Sequence, residues 1–89
     1  MSGMNISAQL SVYPLRQPHL SPVIDEVVGV LRLHGLQVEP GTMSTLLRGD
    51  SEQVFPALRE AFQRAGQRGH VVMAVTLSNA CPLTGAAQT

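Results

Sequence analysis

The sequence contains no lysine and no tryptophan, and it has only one tyrosine, two phenylalanines and one cysteine. Its six arginines balance six acidic residues, so the formal net charge is zero and no basic surface is available to attract nucleic acid or an anionic membrane. The shortage of aromatic side chains also leaves few platforms on which bases could stack. The composition therefore argues against a nucleic-acid-binding protein.

One cysteine cannot form an intramolecular disulfide, and no apolar run approaches the ~18 residues that a membrane-spanning helix requires. Residues 1–7 lack the basic cluster and the apolar core of a secretory leader, so we expect a cytoplasmic protein. The 89 residues predict one domain, with an ordered core over residues 5–82 and a tail over 83–89. Because so short a chain buries only a small core, we expect association into a homodimer, or a tetramer, to bury further surface.

Hydrophobic periodicity predicts four strands and two helices. Strict alternation of apolar and polar residues is typical of a half-buried strand, and apolar residues three and four apart are typical of an amphipathic helix. The predicted order is strand 5–13, helix 22–34, strands 36–39 and 42–49, helix 51–66, and strand 70–78.

Capping residues define where the two predicted helices begin. Ser21 followed by Pro22 predicts an N-cap with proline at the first helical position. Asp50 or Ser51 is the predicted cap of the second helix. Pro56 lies too deep for the free first turn, so the second helix either begins later than Ser51 or kinks.

The second helix has one apolar stripe and one exposed side. A Glu60–Arg64 pair at i,i+4 spacing is expected on the exposed side. The residues predicted to lie on the buried stripe are Val54, Leu58, Ala61, Phe62 and Ala65.

The element order βαββαβ is that of the ferredoxin-like α+β sandwich, in which two helices cover one face of a four-stranded antiparallel sheet with strand order 4-1-3-2. The other face, called the open face below, carries no helix. Alternation along the strands assigns residues to it. The predicted open face consists of Ser7, Gln9, Ser11 and Tyr13 on the first strand, Met43, Thr45 and Leu47 on the third, and Val72, Ala74, Thr76 and Ser78 on the last.

Hydroxyl, amide and small apolar side chains dominate this predicted open face, whereas a face in contact with water usually carries many charges. Two uses are compatible with it. A second sheet could pack on it in a dimer. Alternatively, its donors and acceptors could hold a neutral heteroaromatic ring.

Reactive groups are sparse in this sequence. Cys81 could be a nucleophile only with a partner base, but His70 lies at the opposite end of the same predicted strand, roughly 30 Å away. His34 ends the first helix, where a histidine interacts with the helix dipole, and His19 lies in a loop. No metal-binding motif and no phosphate-binding glycine pattern occurs, so we expect no catalytic residue, metal or cofactor. Arg48 could meet an anion or a partner's carboxylate, although a solvated arginine at an edge is the simpler reading.

Three segments together resemble the YkoF-related family of thiamine- and hydroxymethylpyrimidine-binding proteins. They are ISAQLSVYPL with its Tyr-Pro ending, TLLRGDSEQVFPALREAF with a Thr-x-x-x-Gly strand before a Val-Phe helix start, and GHVVMAVTLSNACP with a terminal Ser-x-x-Cys-Pro. The resemblance extends over about residues 5–82.

The resemblance implies a ferredoxin-like domain that binds the aminopyrimidine half of thiamine and serves salvage or uptake without catalysis. Founding members carry two such domains, which implies a homodimer for this chain. The ligand-binding positions that match are Tyr13, Thr45, Gly49, Ser78 and Cys81, and the open face adds Gln9 and, as an apolar cover for the ring, Leu47.

The sequence departs from the family pattern in two places. Leu83 and Thr84 follow Pro82 where the family often has glycine and an acid, and Pro56 stands where an aspartate is usual. These departures leave open a preference for the neutral pyrimidine, weaker binding, or a different ligand. The alternative from another class is a sheet-packed homo-oligomeric regulatory or assembly module that senses another small metabolite.

Overall fold

The computed structural model describes residues 3–16 and 19–80. It contains four strands and two helices in the predicted order. Their bounds are β1 Asn5–Pro14, α1 Ser21–Leu33, β2 Gln37–Pro40, β3 Thr45–Asp50, α2 Ser51–Gln67 and β4 Val71–Ser78. The predicted C-terminal tail lies outside the described residues.

The four strands form one antiparallel sheet in the order β2-β3-β1-β4, which is the predicted 4-1-3-2 order counted from the other edge. β1 therefore lies in the interior of the sheet, with β3 on one side and β4 on the other. The predicted ferredoxin-like α+β sandwich is confirmed. Because β1 and β4 are antiparallel, the end of β4 lies beside the beginning of β1, with Ser78 opposite Ser7.

Both helices pack on the same face of the sheet, and the hydrophobic core lies between them and that face. β1 contributes alternate residues to this core, as its periodicity predicted. The buried residues of the core are Ile6, Ala8, Leu10, Val23, Val27, Val30, Leu31, Leu36, Leu47, Val54, Ala57, Ala61 and Ala65.

The two helix starts differ in chemistry. Asp50 is the N-cap of α2, and its Oδ2 accepts a hydrogen bond from the backbone N–H of Glu52 at 3.0 Å. Asp50 was one of the two predicted caps. α1 is different, because Ser21 is its first helical residue and Leu20 occupies the cap position without a side-chain hydrogen bond. The predicted Ser21 cap was therefore wrong. Here Pro22, with its fixed φ, lies in the first turn of α1.

Two further features of the helices bear on the predictions. α2 begins at Ser51 and contains Pro56 in its interior, so a start later than Ser51 is excluded. The buried line of α2 consists of alanines and Val54, while Phe62 is 48% exposed and does not belong to the buried stripe. Phe62 follows the buried Ala61 by one residue, about 100° further round the helix axis, which places it at the border of the stripe.

Candidate functional site

Cross-strand pairing determines which residues share the open face, because directly opposite residues in an antiparallel pair project from the same side of the sheet. Gln9 lies opposite Thr76, and Tyr13 lies opposite Val72. These residues alternate with the buried Ala8 and Leu10 along β1. The predicted open-face assignments of β1 and β4 agree with this register.

The third strand is oriented opposite to the prediction. Thr45 and Leu47 lie opposite the core residues Leu10 and Ala8, and both are buried, Leu47 completely. They therefore face the helices, and neither lies on the open face. Leucine occupies both position 46 and position 47, so the sequence does not show which of the two faces the helices. A shift of one residue along the strand exchanges the two faces. The open-face residues of β3 are instead Leu46 and Arg48.

A cleft of about 320 Å³ lies at the end of the open face where β1 begins and β4 ends. This volume falls within the range of small-molecule sites, roughly 300–1,000 Å³. We call it the polar cleft, and its lining residues are Asn5, Ile6, Ser7, Arg48, Ser78, Asn79 and Ala80. Cys81 lies outside the described residues, and of the other six residues predicted to bind a ligand Ser78 is the one that lines it.

Hydrogen bonds fix the rim of the polar cleft. The Ser78 hydroxyl oxygen accepts the backbone N–H of Ala80 at 3.0 Å, which leaves its own O–H able to donate. The Asn79 amide donates to the thioether of Met4 at 3.5 Å. The cleft therefore offers hydroxyl and amide groups that can both donate and accept hydrogen bonds.

Arg48 forms the wall between the polar cleft and a second groove of about 330 Å³. Its Nε and Nη2 both donate to the Gln37 side-chain carbonyl, at 3.0 and 2.5 Å. The second groove is lined by Asn5, Gly35, Gln37, Arg48 and Gly49. The sequence prediction did not include Arg48 or Gln37 in the site. A charged residue at position 48 was nonetheless a usable signal, because it is costly to bury against helices and so favours the open face for Leu46 and Arg48.

Ser7 lines the polar cleft with Ser78, but Tyr13 and Gln9, the open-face residues of β1 predicted to bind the ligand, do not. Tyr13 lies six residues beyond Ser7 on β1, about 20 Å from the polar cleft at the rise of an antiparallel strand. Gln9 is nearer, and its amide donates to the Ser44 hydroxyl at 3.2 Å. One small ring therefore cannot contact both Tyr13 and Ser78.

Gly49 and Cys81 have separate explanations. Gly49 lies on the helix-facing side of β3, and a Cβ placed on it would approach Leu36 Cδ2 to 2.5 Å. Because Gly49 has no side chain, the buried Leu36 can pack directly against the strand at this position. Cys81 lies outside the described residues, so its predicted ligand role stays a prediction.

Thr45 lines a cavity of about 50 Å³ between the sheet and α1, together with Leu10, Val12, Ile24, Val27 and the β2–β3 turn. This volume is several times smaller than a typical small-molecule site of at least roughly 300 Å³. A pyrimidine ring does not fit there in this conformation. The polar cleft is therefore the better candidate for a ligand site.

Charged residues gather on the outer surface of the two helices. Glu26 of α1 bonds Arg68 at 2.6 Å and lies 3.5 Å from Arg64, while Glu60 bonds Arg64 at 2.9 Å, as predicted, and His34 at 2.8 Å. The hydrogen bond from Arg68 is the main cause that lowers the pKa of Glu26, and the hydrogen bond with His34 is the main cause for Glu60. His34 thus contacts a carboxylate of α2 in addition to ending α1.

The contacts of Glu26 with Arg64 and of His34 with Glu60 connect α1 and its end to α2. A shallow cleft of about 430 Å³ beside them has His34, Glu60 and Arg64 in its lining. Within residues 3–16 and 19–80, no group of three or more His, Cys, Asp or Glu side chains is arranged to hold a metal ion. No helix in that part of the chain is long and apolar enough to cross a membrane.

Fold and site together define a ferredoxin-like sandwich with a cleft of small-molecule size on its helix-free face. The chain belongs to the YKOF-related family, whose sequence model matches residues 5–84. The resemblance found in the three sequence segments is thereby confirmed.

One curated relative is 32% identical to this chain over 75 residues, which make up 83% of this chain and 38% of the relative. It is the protein of Bacillus subtilis (strain 168) described as "Putative HMP/thiamine-binding protein YkoF". The chain thus spans about two fifths of the length of this relative. HMP denotes hydroxymethylpyrimidine.

Solved structures share the fold. Protein SP2199 of Streptococcus pneumoniae matches with a TM-score of 0.81 and 29% identity over 91% of this chain and 92% of that one. The hypothetical protein MJ1052 of Methanocaldococcus jannascii matches with a TM-score of 0.77 and 25% identity, over 83% of this chain and 78% of that one. A Thermotoga maritima protein described as a "putative thiamine biosynthesis/salvage protein" matches with a TM-score of 0.74 and 19% identity, over 93% of this chain and 89% of that one. At this low identity the match shows the fold alone.

Proposed function

We propose that this chain binds the aminopyrimidine moiety of thiamine, or free hydroxymethylpyrimidine, in the polar cleft. The observation that carries the proposal is a small-molecule-sized cleft lined by hydroxyl and amide side chains, in a member of this family. The description of the Bacillus subtilis relative as an HMP/thiamine-binding protein supports the same ligand class.

The chemistry of the cleft suits such a ring. An aminopyrimidine donates hydrogen bonds through its exocyclic amino group and accepts them at its ring nitrogens, so it needs both kinds of partner. The Ser78 hydroxyl and the amides of Asn5 and Asn79 supply both.

We propose that the chain binds this ligand without transforming it. No imidazole and no carboxylate occurs among the described residues that line the polar cleft, so this part of the chain supplies no general base there. We propose that the protein is a cytoplasmic binding protein that serves thiamine salvage or uptake, and that residues 1–89 form one domain.

Thermal unfolding with and without ligand tests the proposal. Thiamine or hydroxymethylpyrimidine at millimolar concentration is expected to raise the Tm of the purified protein by mass action. Ser78→Ala removes one hydrogen bond, worth about 1 kcal/mol, and should reduce the ligand-induced rise with little effect on the Tm of the free protein.

Thr45→Val provides the matched control, because Thr45 has a hydroxyl but lies on the helix-facing side of the sheet. The ligand-induced rise should persist in this variant. The sequence-based prediction places both Thr45 and Ser78 at the ligand, so on that prediction Thr45→Val would reduce the ligand-induced rise as well. No change in Tm with either compound would contradict the proposed function itself.

A second candidate function is a sheet-packed homodimer that senses a different metabolite. It is favoured by the far end of the open face, where Tyr13 and the opposite Val72 are each 50% exposed. Native mass spectrometry over a range of protein concentrations tests it. A dimer that Val72→Glu dissociates would support packing through the open face, and a wild-type monomer at all concentrations would exclude it.

A further inference from the structure

Arg48 differs from the other five arginines in its surroundings. It is half-buried, whereas Arg16, Arg32, Arg59, Arg64 and Arg68 are exposed. Arg64 and Arg68 are paired with glutamates, but no carboxylate of residues 3–16 or 19–80 forms an ion pair with Arg48. An arginine that lines a cleft and has no counter-ion keeps its full charge and its donors available to an anion in that cleft.

The Arg48 guanidinium is held in place without being neutralised. Gln37 accepts two of its hydrogen bonds through a single carbonyl oxygen, which orients the planar fork but carries no charge. The Nη1 edge of the fork makes no hydrogen bond within the described part of the chain. A charged, oriented donor edge therefore stands at the wall of the polar cleft.

The neighbouring carboxylates Asp50 and Glu39 form no ion pair with Arg48. Asp50 accepts the backbone N–H of Glu52 as the N-cap of α2, and Glu39 lies opposite Leu46 on the next strand. Neither lies within ion-pair distance of Arg48. Asn5 and Arg48 occur together in the lining of both the 320 Å³ and the 330 Å³ space.

We propose that Arg48 forms an anion subsite of the polar cleft, and that it binds the phosphoryl group of a phosphorylated aminopyrimidine. The inference rests on the proposed function for the pyrimidine half of the ligand. A guanidinium fork matches two phosphate oxygens in a bidentate, charge-assisted geometry. The same cation repels the thiazolium ring of unphosphorylated thiamine, so the subsite favours phosphate esters over the free vitamin.

Isothermal titration calorimetry with matched alcohol and ester pairs tests this subsite. The pairs are hydroxymethylpyrimidine with its phosphate ester and thiamine with thiamine monophosphate, and inorganic phosphate is titrated separately. Each ester is expected to bind about tenfold or more tightly than its alcohol, because a hydrogen bond to a charged group contributes more than a neutral one. Added salt should weaken the ester and leave hydroxymethylpyrimidine nearly unchanged.

Variants assign the difference to Arg48. Arg48→Gln should abolish the preference for the ester while hydroxymethylpyrimidine still binds, and Arg48→Lys, which keeps the charge without the fork, should retain part of it. Arg32→Gln is the control, because this arginine is exposed in the last turn of α1. Circular dichroism establishes that each variant is folded, and the lysine variant keeps the test decisive if the glutamine variant does not fold.

The outcomes for the subsite and for the proposed function are distinguishable. Equal affinities of ester and alcohol in the wild type overturn the anion subsite and leave the proposed function standing. An ester preference that survives in Arg48→Gln also overturns it. If no alcohol binds but inorganic phosphate does, and Arg48→Gln abolishes that binding, the proposed function fails and the anion subsite is supported.

Discussion

The two faces of the one sheet are built from adjacent residues but have opposite chemistry. Leu47 is completely buried against the helices, whereas its neighbour Leu46 is on the open face, half-exposed beside Gln9. The helix-facing side is closely packed and aliphatic. The open face combines hydroxyls, amides, one guanidinium and partly exposed apolar residues, and it contains the polar cleft. We therefore expect substitutions on the first face to change stability and substitutions on the second to change binding.

The largest effect is expected from Leu47→Ala. Removing a fully buried leucine loses apolar burial and leaves a cavity, which typically costs about 2–5 kcal/mol of the free energy of unfolding. Leu46→Ala is the matched control, since it makes the same change one residue away on the other face. Urea unfolding of both variants measures the difference. Two similar losses at low protein concentration would contradict the assignment of the faces.

Protein concentration sharpens this comparison. If a second copy covers the open face, the midpoint of unfolding depends on protein concentration, because association stabilises the folded chain. Leu46→Ala would then lose more stability at high concentration than at low concentration. Leu47→Ala should lose a similar amount at both.

Gly49→Ala is expected to have the next largest effect. The added Cβ would lie 2.5 Å from Leu36 Cδ2, and forcing the buried Leu36 to move costs typically about 1–3 kcal/mol. Gly29→Ala is the control, because nothing lies within 4 Å of its added Cβ on α1, and alanine in a helix should stabilise by about 0.5–1 kcal/mol. Urea midpoints should therefore move in opposite directions.

The same variant distinguishes packing from ligand binding at Gly49. The resemblance to the family places Gly49 in the ligand site, whereas the contact with Leu36 gives it a packing role. A Gly49→Ala protein that is less stable but shows the same ligand-induced rise in Tm supports packing. If Gly49→Ala leaves the stability unchanged but abolishes the ligand-induced rise in Tm, Gly49 has a role in ligand binding instead.

The sequence was sufficient for the element order and for the fold, because periodicity and an Asp50 cap are local signals. It was insufficient for the faces of β3, where Leu46 and Leu47 satisfy either orientation. Pairing with β1 decides the question, since Leu47 lies opposite the buried Ala8. Long-range register of this kind is not encoded in the alternation of a single strand.

The sequence grouped only some of the residues that line the polar cleft, and the missing information is again the pairing of the strands. Ser78 was assigned correctly to the open face, but Tyr13 was grouped with it although the two lie at opposite ends of the paired strands β1 and β4. Antiparallel pairing of the first and last strands already implies that separation, because the end of β4 must meet the beginning of β1. Arg48 was assigned to the wrong face together with its strand, and its pairing with Gln37 became apparent from the fold.

Substitutions of the charged residues on the outer surface of the helices are expected to change the free energy of unfolding least. The apolar residues beneath them contribute more. Arg64 contacts both Glu26 and Glu60, so Arg64→Met removes two contacts at once. Exposed ion pairs contribute little, and we expect a loss far below that of Leu47→Ala. Arg59→Met is the control, because Arg59 is exposed and forms no ion pair with the described residues.

The dependence on pH identifies the charges as the cause. The pKa values of Glu26 and Glu60 are lowered from their ordinary 4.5, so the folded state favours the ionised carboxylates. Their contribution to stability is complete above pH 4.5 and is lost as the pH falls through the lowered pKa values. The difference in urea midpoint between wild type and Arg64→Met should therefore be present at neutral pH and disappear in acid. A difference that persists unchanged in acid would mean that Arg64 stabilises the helices by packing its aliphatic stem rather than by its charge.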